Sequence, residues 1–136
     1  MKRILVILIT SLLLIAGAEL RAQERIENGS RSTIAYIDTS GRIENSSRST
    51  IGYFNGDRVE NSSRSTIGYI SNGRFENSSR STIGYFSNGR VEDSSRRTIG
   101  YVDNGRVEDS SRRTIGYYPA GLRADWVAYY FFFFGK

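Results

Sequence analysis

The chain has 136 residues, with 19 basic and 14 acidic side chains, a formal net charge of +5, no histidine and no cysteine. That length suits a single domain. The missing residue types exclude imidazole and thiolate chemistry, disulfides, a Ser-His-acid triad and the usual zinc ligands. We therefore predict a protein without a cofactor or a metal site.

The first 22 residues have the layout of a secretory signal peptide. Two basic residues precede an apolar run over residues 4–15, and small residues follow it. Cleavage is predicted after Ala18 or after Ala22. A retained membrane anchor is the alternative, which is disfavoured because the apolar run is short for a spanning helix. We expect the mature chain in the periplasm or outside the cell, as part of the cell envelope.

Six near-identical repeats follow the leader, and a fixed period of this kind decides the fold. Each repeat holds a short Arg-Val-Glu strand, an Asn-Ser-Ser or Asp-Ser-Ser turn and a longer strand such as Ser-Thr-Ile-Gly-Tyr-Ile. In three repeats an Asn-Gly pair then forms a two-residue hairpin loop. The repeats predict twelve short antiparallel strands. The six repeats begin at Arg25, Arg42, Arg58, Arg74, Arg90 and Arg106.

The hairpin loops predict which side chains share a face. With Asn72-Gly73 as the loop, Ile70 lies opposite Phe75 and Tyr69 lies opposite Glu76; across the other turn, Phe75 is predicted opposite Thr82. One face then carries Val, Ile or Phe with Thr and Gly, and the other carries Ile, Tyr, Arg and Glu. Because burying the ionic face would desolvate its charges, we predict the first face inside. The second face would expose an outer belt of isoleucine and tyrosine.

The C-terminal segment Asp125–Phe134, DWVAYYFFFF, is too aromatic to remain in water. An inner wall of threonine and glycine leaves a twelve-strand barrel unfilled, and a helix has the diameter to fill it. We predict a single domain over residues 23–136, with repeats over 25–121 forming a closed barrel around a central α-helix over 122–136. A further strand, or a cap on a solenoid of stacked hairpins, is the alternative.

The repeat ENSSRSTIGYI, the Asn-Gly turns, the leader and the Trp-then-Phe tail together resemble the bacterial β-flower repeat proteins. The resemblance covers residues 25–136. It implies a shallow, near-symmetric barrel around a central hydrophobic helix, similar in shape to the tubby C-terminal barrel. Tubby-like barrels bind phosphoinositide headgroups, but no motif here carries that property over residue by residue.

One repeat position supplies the best candidate binding site. An arginine beside each Ser-Ser turn is predicted to circle one barrel mouth, where guanidinium groups could hold phosphate, sulfate or carboxylate. The alternative is local pairing with acids. The tyrosine of each repeat could likewise stack on a sugar or support the neighbouring strand. The candidate ligand-binding residues are Arg31, Arg48, Arg64, Arg80, Arg96 and Arg112.

The repeats also argue against an enzyme, because a catalytic carboxylate pair needs two unlike environments and symmetry offers identical ones. We predict an exported, non-enzymatic structural or binding module that interacts with proteins through the outer Ile-Tyr belt. The alternative function is binding of anionic ligands or lipid headgroups through the arginine ring. The partner is unknown; an anionic lipid headgroup, a glycan and a cell-envelope protein are candidates, and nucleic acid is not.

Overall fold

The computed structural model describes residues 24–136, so the predicted leader and its cleavage sites lie outside the described residues. Twelve antiparallel strands form a closed barrel, and one α-helix follows them. The predicted fold is confirmed. Within the described residues, no helix is long and apolar enough to cross a membrane.

The first strand of each repeat has four residues, the second has four to six, and the helix is the last element. The short strands are β1 (Arg25–Asn28), β3 (Arg42–Asn45), β5 (Arg58–Asn61), β7 (Arg74–Asn77), β9 (Arg90–Asp93) and β11 (Arg106–Asp109). The others are β2 (Thr33–Ile37), β4 (Thr50–Asn55), β6 (Thr66–Ser71), β8 (Thr82–Ser87), β10 (Thr98–Asp103) and β12 (Thr114–Tyr117). The helix α1 spans Ala124–Phe132.

Each strand pairs with the strands before and after it in the chain, and β1 closes the barrel against β12. At this closing seam Glu27 lies opposite Tyr117 and Asn28 lies opposite Gly116. Closure matters because an open sheet would present unpaired backbone groups to other chains.

The Asn-Gly turns have the predicted geometry. Asn72 and Gly73 have φ angles of 52° and 75°, and the other two Asn-Gly turns have similar positive values at both positions. A two-residue loop of this type matches the twist of its flanking strands. The predicted register across it is confirmed, since Ile70 lies opposite Phe75 and Tyr69 lies opposite Glu76.

The register across the other turn was predicted wrongly. Phe75 lies opposite Gly84 and not Thr82, while Thr82 lies opposite Glu76. The extra residue, Ile83, forms a β-bulge, and the same shift occurs in all six hairpins closed by this turn. A bulge inserts one residue against its partner strand and resets the alternation of faces. Threonine therefore joins the ionic outer face and leaves the inner wall.

The bulge also changes the predicted isoleucine belt. The bulge isoleucines are only partly exposed, and all six pack against the hydrophobic core. The prediction that they stand with tyrosine in an exposed outer belt is wrong. These residues are Ile34, Ile51, Ile67, Ile83, Ile99 and Ile115.

The helix α1 fills the barrel, as predicted. Trp126, Val127 and Tyr129 are buried, and Trp126 stacks on Phe54 of the wall with ring centroids 5.0 Å apart. Tyr129 meets both Phe54 and Phe75 edge-on, at centroid distances of 6.1 Å and 5.7 Å. Aromatic residues are weak helix formers, so packing against the wall stabilises this helix more than propensity does.

Five glycines of the inner wall each pack against one aromatic ring of the C-terminal segment. A Cβ atom at Gly68 would lie 2.5 Å from the Tyr129 hydroxyl oxygen, and one at Gly52 would lie 2.8 Å from the Phe134 ring. Gly84, Gly100 and Gly116 face Phe133, Phe132 and Phe131 at similarly close range. The first repeat has Ala35 at this position. At each of the five glycines a backbone oxygen of the neighbouring strand also lies within 2.9 Å of the added Cβ, so the rings and the strand spacing together leave no room for a side chain.

Candidate functional site

The turn that carries the candidate arginines is built by an Asn or Asp side chain. In the third repeat, Asn61 Oδ1 accepts hydrogen bonds of 3.0 Å from the backbone N–H groups of Ser63 and Ser65. Asp93 forms the same pair of bonds in the fifth repeat, at 2.9 Å and 3.0 Å. These N–H groups hold the pKa of the Asp93 carboxyl below its usual value. Local bonding of this type fixes the turn without help from the core.

The arginine that ends each turn has a left-handed backbone. Arg64 has a φ of 69°, and the other five candidate arginines have φ angles of 68° or 69°. Glycine is the usual residue in this region because a side chain adds about 1–2 kcal/mol of steric cost there. Six arginines in this conformation imply contacts that offset the cost.

Those contacts come from a glutamate and a tyrosine on the outer wall. Arg64 Nη1 donates to Glu60 Oε1 at 3.0 Å, and the Arg64 guanidinium lies 3.6 Å above the ring centre of Tyr53 in the preceding repeat. The hydrogen bond from Arg64 holds the pKa of the Glu60 carboxyl below its usual value. Cation–π contact and a charge-assisted hydrogen bond act together here. We call each such Arg-Glu-Tyr group a wall cluster.

The wall cluster recurs in every repeat, and its sixth copy crosses the closing seam. Arg31 there pairs with Glu27 at 3.3 Å and stacks 3.6 Å above Tyr117 of the last strand. The other clusters are Arg48-Glu44-Tyr36, Arg80-Glu76-Tyr69, Arg96-Glu92-Tyr85 and Arg112-Glu108-Tyr101. Because each cluster links neighbouring hairpins, the clusters also stabilise the closed barrel.

A second row of arginines starts the short strands, and none of them was among the predicted ligand-binding residues. Arg106 lies 3.2 Å from Glu108, whereas Arg42, Arg74 and Arg90 lie between 3.6 and 3.9 Å from the glutamate of their own strand. Each glutamate therefore stands between two guanidinium groups in these repeats. The repeated Arg-x-Glu spacing was the available signal, since alternate residues of a strand share one face.

The structure places the candidate arginines at one end of the barrel but not as a converging ring. Their guanidinium groups lie on the outer wall above tyrosine rings, and their side chains are between 42% and 66% exposed. Each candidate arginine pairs with the glutamate four residues before it, which is the local pairing with acids given above as the alternative. Asp93 and Asp109 pair with Arg97 and Arg113, at 3.3 Å and 3.4 Å.

Substitution of Arg64 tests how the cluster offsets the backbone cost. Arg64→Ala loses both contacts and keeps the left-handed strain, so we expect a loss of about 1 kcal/mol in the free energy of unfolding. Arg64→Gly loses the same contacts but relieves the strain, so it should be at least as stable as Arg64→Ala. Urea denaturation of the two variants measures the difference.

Arg97 provides the matched control, because it follows the left-handed Arg96 and does not share its positive φ. There Ala should be more stable than Gly, since Gly has more conformational freedom to lose on folding. The same preference for Ala at Arg64 would contradict the role assigned to the left-handed backbone.

Comparison with known proteins now identifies the architecture. A family model described as a 5-fold beta-flower protein matches residues 23–135. The chain belongs to this family. Searches of curated proteins and of solved structures gave no match. This β-flower closes with six hairpins, although the family is described as five-fold, and five of its repeats have glycine where the first has Ala35. The resemblance found in the sequence is confirmed.

Proposed function

We propose that this β-flower is an exported, non-enzymatic binding module that holds anionic groups on its arginine-lined outer wall. One observation carries the proposal. Each repeat brings two arginines and one glutamate to the outer wall, so guanidinium groups outnumber the carboxylates beside them. An excess of exposed cation favours anionic ligands, most strongly at low ionic strength.

The hydrogen bonds of the candidate arginines support the same proposal. Within residues 24–136, their side-chain bonds all use Nη1. Nε and Nη2 have no acceptor among the described residues. A guanidinium group fixed by a glutamate and a tyrosine ring loses less conformational entropy when it binds a ligand. Planar guanidinium groups also bind phosphate and carboxylate with two parallel hydrogen bonds.

Protein interaction through an Ile-Tyr belt is less well supported. The isoleucines pack against the core, and an arginine covers one face of each wall tyrosine. The wall therefore offers less apolar area to a protein partner than the sequence indicated, and apolar burial drives most protein association.

Two sequence features support the remaining parts of the proposal. The layout of residues 1–22 is that of a secretory leader, which favours the periplasm or the cell exterior. The glutamates of the six repeats have the same neighbours, an arginine four residues later and a cross-strand tyrosine. Carboxylates in equivalent environments cannot divide the roles of acid and base, which favours a non-enzymatic role.

Binding to vesicles of phosphatidylcholine and phosphatidylglycerol tests the proposal. The wild-type protein should bind at low salt and be released as salt increases. Replacing Arg64, Arg80 and Arg96 together with glutamine should weaken binding by about tenfold or more, since hydrogen bonds to charged groups are lost. Circular dichroism should first establish that the triple variant is folded.

The control removes the same charge elsewhere. Arg97, Arg113 and Arg123 each pair with an aspartate, so their replacement by glutamine removes three positive charges outside the wall clusters. This control should retain most of the binding. Equal losses in both triple variants would indicate a non-specific charge effect, and a wild-type protein that ignores the vesicles even at low salt would overturn the proposal.

A further inference from the structure

The closing seam differs from the other junctions between repeats. Tyr117 is followed by Tyr118 and Pro119, and Ala120 and Gly121 then stand where the preceding repeat has its Asn104-Gly105 loop, after which the chain turns towards the helix. Arg25, at the start of β1, is thus joined to β12 by pairing and not by a loop. The repeat pattern is therefore broken at the seam.

A cleft of about 340 Å³ opens at this seam and contains three arginines. Arg31 lies in it above the Tyr117 ring, Arg106 starts the strand that pairs with Tyr117, and Arg25 comes from the first strand. Among the described residues that line the cleft, Glu27 is the only acidic one, so their charges leave an excess of two positive charges. We call this site the seam cleft.

Two other clefts of the same wall provide a comparison within the molecule. Arg42, Arg64 and Asp38 supply the charges of one, and Arg90, Arg112 and Asp103 supply those of the other. The charged residues that line each of these two clefts therefore leave an excess of one positive charge. The seam cleft gains an arginine, and Pro119 follows its wall tyrosine by two residues, the position that Asp103 has after Tyr101.

Arg25 is also the arginine of the cleft with the weakest local pairing. Among residues 24–136 no carboxylate lies within 4.0 Å of its guanidinium group, and the adjacent Glu24 pairs instead with Arg48 at 3.2 Å. Arg31 keeps Glu27 at 3.3 Å, and Arg106 keeps Glu108 at 3.2 Å. The positive charge of Arg25 is thus the least neutralised of the three.

We propose that the seam cleft is a single binding site for a phosphate monoester, an inference that rests on the proposed anion-binding function. A phosphate monoester carries about −1.5 to −2 charges at neutral pH, which matches the excess of the cleft. The guanidinium groups of Arg25, Arg31 and Arg106 supply donors to the phosphate oxygens. Tyr118 and Pro119 provide an apolar side for the esterified group.

Calorimetric titration of the full chain with glycerol 3-phosphate tests the site. We expect one ligand per chain. Arg25→Gln should weaken binding by about tenfold, because a charge-assisted hydrogen bond is lost. Arg58→Gln is the matched control: Arg58 starts β5 as Arg25 starts β1, it lies outside the seam cleft, and its replacement removes the same charge. The Arg58→Gln variant should bind glycerol 3-phosphate with the wild-type affinity.

A second pair of variants changes residues in turns and leaves the strands of the barrel unaltered. Asn104 lines the seam cleft in an exposed Asn-Gly turn, and Asp is also favoured in such turns. Asn104→Asp should weaken binding by adding a negative charge, whereas Asn72→Asp, in the equivalent turn of another hairpin, should not. Both variants should unfold at the wild-type temperature.

Vesicles containing phosphatidic acid distinguish a lipid source from a soluble one. Binding of glycerol 3-phosphate or of these vesicles supports the site if it depends on Arg25 and not on Arg58. The probe that binds more tightly indicates whether the natural phosphate is soluble or part of a lipid. About six ligands per chain, or equal losses in the two arginine variants, would overturn the seam cleft and leave the proposed function standing. If the wild-type protein binds phosphatidylglycerol vesicles but neither glycerol 3-phosphate nor phosphatidic acid, the seam cleft is likewise overturned and the proposed function still stands.

Discussion

Removal of residues 124–136 is expected to abolish the folded barrel. This deletion removes Trp126, Val127 and Tyr129 from the core together with four partly buried phenylalanines. At about 1.5–3 kcal/mol for each fully buried large side chain, the lost burial is on the order of 10 kcal/mol. That loss is comparable with the whole stability of an ordinary domain. Circular dichroism and size-exclusion chromatography should show an unfolded or aggregated chain.

A shorter deletion is the control for this prediction. Gly135 and Lys136 are exposed, so a chain that ends at Phe134 should unfold at nearly the wild-type temperature. A protein without residues 124–136 that stayed monomeric and melted as before would show that the hairpin ring holds itself together without a filler. The helix would then be an accessory to the fold.

The repeat period predicted most of the architecture because it is a global property of the chain. Short strands separated by turn residues form hairpins, and the aromatic C-terminal segment must be buried inside them to be shielded from water. The bulge at Ile83 could not be predicted in this way. It occurs beside a turn in which Arg80 has a left-handed φ of 68°, and the sequence has an arginine there where glycine would be the usual signal.

The candidate site was predicted in part, for a related reason. The position of Arg64 in the repeat marked it as special, but its stacking above Tyr53 is a contact between neighbouring repeats that requires the correct register. The misplaced Thr82 belonged to the same register error. Arg25 was not among the predicted residues because the role we propose for it depends on the closure of β1 against β12, and in sequence it resembles the arginine that begins every other repeat.

Gly84→Ala is expected to destabilise the barrel by about 1–3 kcal/mol, which is the usual cost of overpacking a filled core. The added Cβ atom would overlap the Phe133 ring and lie 2.7 Å from the backbone oxygen of Glu92. In an open site the same substitution would stabilise the protein slightly, because alanine has less freedom in the unfolded chain. Urea denaturation of the variant measures which effect dominates.

A second substitution identifies the ring as the cause. Phe133→Leu shortens the side chain that faces Gly84, so Gly84→Ala should cost less in its presence than in the wild type, and a double-mutant cycle measures that coupling. Ala35→Gly is the comparison at the equivalent position of the first repeat, and we expect it to cost less than Gly84→Ala. Strictly additive effects of the Gly84 and Phe133 substitutions would mean that the backbone of β9 is the obstacle. The five glycines would then be set by strand spacing and not by the aromatic rings, because the oxygen of the neighbouring strand lies within 2.9 Å of the added Cβ at every one of them.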